Sequence, residues 1–344
     1  ALRIMRAVRF SSQLGFRMEE ETKKAMVSKA EHLKNVSAER IRVELGKLLL
    51  GVDAGMLREA YRAGMTAVFL PEFDEIMPLE QQNPHHIFTV GEHTIRSIEV
   101  MNFFFGRYSG KWDASIISRE VRACVDELTE KLTIKHQQIL CLTMLFHDMG
   151  KAGTKTVDEN GVGHFYGHAK VSMEIAGKRL RKLTYDNETL HTVVKLVEIH
   201  DREFGTTEKS MRRAVSKIGE EYMPLLLLVK FCDAYAQNPE YLNEKINTLK
   251  EVIGLWKKVV HSGAAFSIRD LAVTGQDIIG LGVKPGPKIG EILSSLLELV
   301  LENPAVNEKE QLLSCAREQI SRNSFVKNIE ENQGKKCKKE ENMI

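Results

Sequence analysis

The sequence predicts an all-α chain: an elongated run of many helices, with a helical bundle at its centre and a helical tail at its C-terminal end. Three observations carry that prediction. Apolar residues recur at helical spacing through most of the chain. Glycines and capping residues fall at the ends of those periodic stretches, as Gly15, Ser37 and Gly51 do. Alternating strand patterns are nearly absent; "VDENGVGHF" alone reads as a turn between two short extended segments.

The elements follow in order. In "ALRIMRAVRFSSQL", Leu2, Met5, Val8 and Phe10 share one side, with Arg3, Arg6 and Arg9 on another, and Gly15 stops the helix. "MEEETKKAMVSKAEHL" opens with acids, which suit the positive end of a helix dipole. Ser37 is placed to cap "AERIRVELGKLLL", which Gly51 ends. A further helix near 54–64 leads to "VFLPEFDEIM", where Pro71 breaks the pattern. A second region begins at "QQNPHHIFTVGEHTIRSIEVMNFFF". It continues through a polar loop, "GRYSGKWDASIISRE", to the apolar run "LCLTMLF" and the aliphatic "YMPLLLLVKFCDAYAQN". From about 240, "EKINTLKEVIGLWKKVVHSG" is helical. "SIRDLAVTGQDIIGLGVKPGPKIGEILSSLLELVLENP" is two helices joined by a Gly/Pro hairpin. The charged end, "KNIEENQGKKCKKEENMI", is expected to be disordered.

Bulk properties narrow the function classes. With 344 residues the chain can hold two or three domains, and 43% hydrophobic content is ordinary for a globular protein. A net charge of +2 forces no global affinity for nucleic acid, so any such surface is a local patch. The five cysteines are scattered without a CxxC pair, which fits a reducing, cytoplasmic setting and argues against a disulfide framework or zinc knuckle. The longest aliphatic stretch, "PLLLLV" at 224–229, is too short to cross a bilayer, and no signal peptide is visible. The sequence starts without an initiator Met and already inside a helical pattern; the expectation is a fragment, a processed product or a split subunit of something longer.

The chemistry concentrates at "LTMLFHDMGKAGTKT". His147 and Asp148 interrupt an apolar run, and His93 and Asp233 lie in equally apolar helical contexts. Burying lone carboxylates costs several kcal/mol each even after relaxation. Two acids and two imidazoles drawn from three helices are compatible with an interior if a divalent cation sits among them, an N/O set suited to Fe, Mn, Co, Ni or Zn. Such an ion with open positions lowers the pKa of water to roughly 7–9 and supplies a nucleophile for phosphoester hydrolysis. Lys151, one turn on, can hold a phosphate oxygen, and His168 and His200 can reach the same cavity as phosphate donors or as ligands of a second ion. The blander alternatives are that His93 is a surface residue and that Asp233 pairs with Lys230. His85, His86 and His164 read as loop or surface histidines.

The order of these residues resembles the HD superfamily of metal-dependent phosphohydrolases, with His93, His147, Asp148 and Asp233 matching its H…HD…D ligands. The resemblance implies catalysis by His147, Asp148 and Lys151 with a divalent metal such as Mg, Mn or Ni. The interval from His93 to His147 is long for that family, and the excess falls in the polar segment 106–135, read as an insertion. The two flanks resemble another family. "LRIMRAVRFSSQLGF" with "VSAERIRVELGKLLL", and "FSIRDLAVTGQDIIGLGVKPGPKIGEILSSLLELVLENPAVNEKEQLL" at the other end, are similar to the neck and tail of bacterial class II tRNA nucleotidyltransferases (CCA-adding enzymes) and related poly(A) polymerases. That resemblance covers 1–320. It implies a helical neck over 1–80, an HD domain over 81–240, an RNA-binding tail over 241–321 and a disordered end over 322–344.

In that family a neck arginine preceded by an acidic pair reads the base of CTP or ATP. Arg3 matches the arginine, with Arg6 beside it, and a guanidinium fork suits a base edge or phosphate; the acidic pair would fall before Ala1. The same arginines could instead form a solvated stripe or pair with Glu19 to Glu21. The β-sheet head that carries nucleotidyl transfer has no counterpart here, so ATP and CTP are expected as substrates only with a separate head domain or subunit. In "GLGVKPGPKIG", Gly286 lets the backbone approach a phosphate while Lys284 and Lys288 add charge; a plain helix–helix turn is the equal alternative. The expected partners are tRNA and nucleotides, with no membrane. The expected function is tRNA 3′-end processing through an HD phosphohydrolase site. The alternatives are a stand-alone HD nucleotidase and a non-catalytic RNA-binding module with a structural metal.

Overall fold

The computed structural model describes residues 1–107 and 113–321. Its helices run, in chain order, α1 (Leu2–Leu14), α2 (Glu20–Lys29), α3 (Ala38–Leu49), α4 (Met56–Arg62), α5 (Thr66–Phe69), α6 (Pro71–Ile76), α7 (Val90–Phe104), α8 (Arg119–Thr129), α9 (Ile134–Phe146) and α10 (Lys151–Thr154). A hairpin of β1 (Thr156–Val157) and β2 (Gly163–His164) follows, the only sheet among the described residues. Then come α11 (His168–Lys182), α12 (Asn187–Ile199), α13 (Glu208–Ile218), α14 (Met223–Tyr235), α15 (Leu242–His261), α16 (Gly275–Gly280) and α17 (Pro287–Glu302), and the chain is helical again over 309–321. The fold is all-α, as the periodicity predicts. The chain packs as two units: Ala1–Glu203 with Glu221–Glu251, and Phe204–Glu220 with Val252 onward. The disorder expected for 322–344 falls outside the described residues.

In the first unit, α1 packs on α3 and α4. Gly15 ends α1 at φ 69°, a left-handed conformation that glycine adopts without strain. Gly51 lies against α1: a Cβ there would stand 2.7 Å from the Ser12 backbone. Ser37 directly precedes α3 as its cap residue, but its hydroxyl makes no capping bond; its backbone carbonyl accepts from Arg40 and Ile41 instead. Pro71 begins a helix as well as ending one, since it stands at the first position of α6, where its missing N–H costs nothing. Arg9 and Arg6 reach Glu44 of α3, with Nε–O distances of 2.8 and 3.4 Å. Their carboxylate partner is thus Glu44 on the neighbouring helix, in place of the expected Glu19 to Glu21.

The centre of this unit is α9. Its sequence, IKHQQILCLTMLF, is apolar around most of its circumference, and such a helix is stable only when enclosed. It is enclosed by α3, α7, α11, α12 and α14. The helix α14, MPLLLLVKFCDAY, is of the same kind. Polar side chains inside fasten the layers. Asn102 of α7 donates to the carbonyls of Leu49 and Gly51 at 2.7 and 3.0 Å and accepts from Gln137 of α9 at 3.1 Å. The stretches 1–80 and 81–240 therefore share buried hydrogen bonds. Within the polar segment 106–135, α8 buries Val121, Val125 and Leu128 against α7 and α14. Gly150 sits where a Cβ would meet the His168 carbonyl at 2.3 Å and the Ser172 nitrogen at 2.7 Å, so the turn after α9 lies directly on α11.

The second unit has its own core of Val273, Ile278, Ile292, Leu296, Val300 and Leu312. Arg212 of α13 donates to the carbonyls of Leu301 and Glu302, at 2.8 and 3.1 Å, satisfying acceptors that the end of α17 leaves open. Gly286 precedes α17 at φ 153° with Pro287 at its first position. Lys284 is exposed and Lys288 half-buried on that turn.

Two stability outcomes follow. Asn102→Ala strands two backbone carbonyls and Gln137, and should destabilise the first unit by about 3 kcal/mol in urea unfolding. Gly150→Ala should cost about 1–3 kcal/mol through overpacking, whereas Gly153→Ala, whose Cβ meets open space, should leave the thermal midpoint nearly unchanged.

Candidate metal centre

Three helices end at one place. His147 directly follows α9, His200 directly follows α12, and Ala236 directly follows α14. Each helix thus aims its C-terminal, negative dipole end at the same volume, an arrangement that favours a cation. Four histidines face it, and each is held from behind in the same way. The Nδ1 atoms of His93, His147, His168 and His200 lie 3.1, 2.7, 2.9 and 2.7 Å from the carbonyl oxygens of Ala236, Met144, Phe165 and Val197. A carbonyl only accepts, so each Nδ1 carries the proton and, in the neutral ring, each Nε2 presents its lone pair inward. This is the support that metal-ligating imidazoles require.

The Nε2 atoms point at two carboxylates. His93 Nε2 is 3.0 Å from Asp233 Oδ1 and 3.5 Å from Asp148 Oδ2, and His147 Nε2 is 3.7 and 3.3 Å from the same two oxygens. The two Nε2 atoms stand 3.1 Å apart. On the other side, Asp148 Oδ1 is 3.4 Å from His168 Nε2 and 3.8 Å from His200 Nε2, which are 3.2 Å from each other. Asp148 therefore stands between two ligand sets, His93–His147–Asp148 and Asp148–His168–His200, with Asp233 closing the first. Both sets suit a divalent ion of the N/O-preferring kind.

Electrostatics report the strain of this arrangement without an ion. Burial would lower the His147 pKa, but Asp148 and Asp233 outweigh it and raise it to about 10. Burial would raise Asp148, yet His147 and Lys151 hold it well below the usual carboxylate range; Asp233 is held down likewise by His147 and His93. Burial and the His147 charge push His200 down to about 4. Asp148 Oδ2 is buried and accepts no hydrogen bond of good geometry, although the Lys151 ammonium lies 2.8 Å away. A buried oxygen in this state beside two Nε2 atoms is a donor set that a divalent cation would fit.

Sequence reasoning placed His93, His147, Asp148, Asp233, His168 and His200 here, and the structure brings all six together. Lys151 joins them one turn on. It is buried and donates to Gln81 Oε1 at 2.9 Å while facing Asp148, so it is engaged with the cluster and not extended toward solvent. Arg3, Arg6, Lys284 and Lys288 lie elsewhere on the chain. His85 and His86 occupy a loop, as expected, but they belong to the site's surroundings. The His86 ring meets His93 edge-on at 5.5 Å, its Nδ1 is buried without a partner, and burial with the Lys151 and His93 charges pushes its pKa down to about 3. Gln237 was missed; it donates to Asp233 Oδ2 at 2.8 Å and fixes that carboxylate. Only its spacing of four from Asp233, just past the end of α14, could have signalled it.

Comparison with known proteins agrees with the flanks. Residues 15–77 match the family model described as "Probable RNA and SrmB- binding site of polymerase A", and residues 162–316 match tRNA nucleotidyltransferase domain 2. The CC-adding tRNA nucleotidyltransferase of Thermus thermophilus is 28% identical over 318 residues, 90% of this chain and 64% of that protein. The A-adding tRNA nucleotidyltransferase of Deinococcus radiodurans is 25% identical over 305 residues, 86% of this chain and 63% of that protein. This chain thus spans slightly less than two thirds of the length of these relatives. The crystal structure of the Bacillus stearothermophilus CCA-adding enzyme in complex with CTP superimposes with a TM-score of 0.52 at 18% identity, covering 94% of this chain and 63% of that one, a likeness of fold. Two family models, over 15–77 and 162–316, and relatives matched along most of this chain agree: the chain belongs to the class II tRNA nucleotidyltransferase and poly(A) polymerase family.

Proposed function

We propose that this chain is the tRNA-handling and phosphohydrolase portion of a tRNA nucleotidyltransferase-family enzyme. Its neck, tail and HD-type centre serve one task, the clearing of phosphoesters at or near RNA 3′ ends before nucleotide addition. One observation carries the hydrolase reading: four imidazole Nε2 atoms, each fixed from behind by a backbone carbonyl, converge on the carboxylates of Asp148 and Asp233. His93, His147, Asp148 and Asp233 would hold one divalent ion, and Asp148, His168 and His200 a second. Such ions supply Lewis acidity toward a phosphoryl oxygen and lower the pKa of water. The protein's own part is positional. Gln237 orients Asp233, Lys151 offsets the charge of Asp148, and His86 closes the cavity beside His93.

On this reading the exposed Arg3 and Arg6 of the neck contact nucleotide, and the Lys284–Gly286–Lys288 turn contacts the tRNA backbone. Nucleotidyl transfer is assigned to a domain other than these helices: the sole sheet among the described residues, Thr156–Val157 with Gly163–His164, carries no carboxylate. ATP and CTP are then substrates of the assembled enzyme. No helix among the described residues is long and apolar enough to cross a membrane.

The Lys151 ammonium at Asp148 favours a second reading, a charge network that balances without an ion and leaves the chain an RNA-binding module. Metal content separates the two. The full chain, stripped of metal and dialysed against Mn²⁺ or Ni²⁺, should retain about two ions and hydrolyse bis(p-nitrophenyl) phosphate. Asp148→Asn and Asp233→Asn should each lower kcat/KM by about 10²-fold or more with unchanged circular dichroism. Equal turnover by wild type and Asp148→Asn overturns the hydrolase reading, and no retained ion supports the network.

A further inference from the structure

The turn that brings His168 to the cluster also carries an aromatic ring with no fold-level task. Phe165–His168 is a tight turn: the His168 N–H donates to the Phe165 carbonyl at 3.1 Å, and Gly167 takes φ 75° and ψ 8°, the glycine position of a type II turn. His168 Nδ1 lies 2.9 Å from the same carbonyl and locks the turn a second time. Its inner residues face the cluster. The Lys151 ammonium stands 5.2 Å from the Phe165 ring centre, and His168 Nε2 faces Asp148. Tyr166, at the outer corner, is 80% exposed and so contributes little burial to the fold.

The Tyr166 ring is nevertheless held in place. It lies parallel to the His164 ring, with planes within 5° and centroids 5.4 Å apart, an offset stack. His164, expected as a loop or surface histidine, is fixed in its turn. It pairs with Thr156 in the β-hairpin, and its Nε2 lies 3.0 Å from the Asp158 carboxylate, which also accepts from the amides of Asn160 and Val162. One side of Tyr166 is thus backed by a rigid hairpin, and the rest of the ring is open to water.

Charge beside the ring favours an anionic strand. Asp158 is engaged within the hairpin, and Glu159 lies in its turn, at the end of the strands away from Tyr166. On the other side α11 begins, with the positive end of its dipole and the exposed Lys170 in its first turn. An open aromatic face next to positive potential suits a chain in which phosphates and flat bases alternate.

We propose that Tyr166 is a stacking platform for an unpaired base near the 3′ end of an RNA, holding the strand so that a neighbouring phosphoester reaches the Asp148–His168–His200 ligand set. The proposal rests on the hydrolase reading for the place of the phosphoester and deepens it by naming a recognition residue outside the cluster. Because Tyr166 and His168 belong to one locked turn, the distance from the stacked base to that ligand set is fixed by the backbone.

The test is fluorescence anisotropy of the full chain with two RNA hairpins. Both carry a single-stranded 3′ extension, and in one of them the extension keeps its sugars and phosphates but lacks bases. EDTA is present, so binding is read without hydrolysis. Wild type should bind the base-bearing extension on the order of tenfold more tightly than the abasic one. Tyr166→Ala should remove that difference with an unchanged thermal midpoint, Tyr166→Phe should keep it, and His164→Ala should reduce it. Lys170→Met should weaken both hairpins alike. No difference in wild type, or the full difference in Tyr166→Ala, overturns the proposal. If wild type fails to hydrolyse bis(p-nitrophenyl) phosphate, the hydrolase reading fails while the anisotropy still decides the stacking claim.

Discussion

Asp148 is the constraint on which the rest of the first unit turns. Both of its oxygens are used, one toward His93 and His147 and the other toward His168 and His200. Holding a carboxylate there, 2% exposed just past the end of the enclosed helix α9, requires compensation from every side. The surrounding architecture is arranged to give it: helix C-termini aim inward, imidazoles are locked by backbone carbonyls, and one lysine is buried alongside. An ion-free interior of this composition is balanced only by Lys151 and by a proton on His147, which is why that imidazole titrates so high. A divalent ion would release that proton, because a coordinating imidazole must be neutral.

The neck cannot be separated energetically from this centre. Asn102 lies on α7, the helix that also carries His93, and it binds the carbonyls that end the neck helix α3. Gln137 on α9, ten residues before His147, completes the link. Loss of this joint would loosen α7 against α9, and with it the His93–His147 approach. The residues that join the family's RNA-binding stretch to the bundle are therefore also those that set the geometry of the metal cluster.

Much of the centre was legible because burial made it costly. His147 and Asp148 interrupt an apolar run, Asp233 follows an aliphatic one, and polar groups in such positions require a reason. What was not legible depends on contacts between segments far apart in sequence. His85 and His86 look like any loop histidines until the 83–86 turn is seen folded onto His93 and fastened by Asn238. Glu44 as the partner of Arg6 and Arg9 depends on how α1 crosses α3, which no local pattern specifies. Ser37 failed as a side-chain cap for a local reason: its own carbonyl takes the first helical bonds while its hydroxyl stays out. Spacing places Lys151 one turn from Asp148 but does not show that the turn is buried or that Gln81 shares its ammonium.

The support of Asp233 shows the same economy of contacts. Gln237 serves two neighbours at once, orienting the carboxylate with its amide nitrogen and holding Lys245 with its oxygen. The groups that would hold an ion thus come from α7, α11 and α14 and from the ends of α9 and α12, five helices brought to one point.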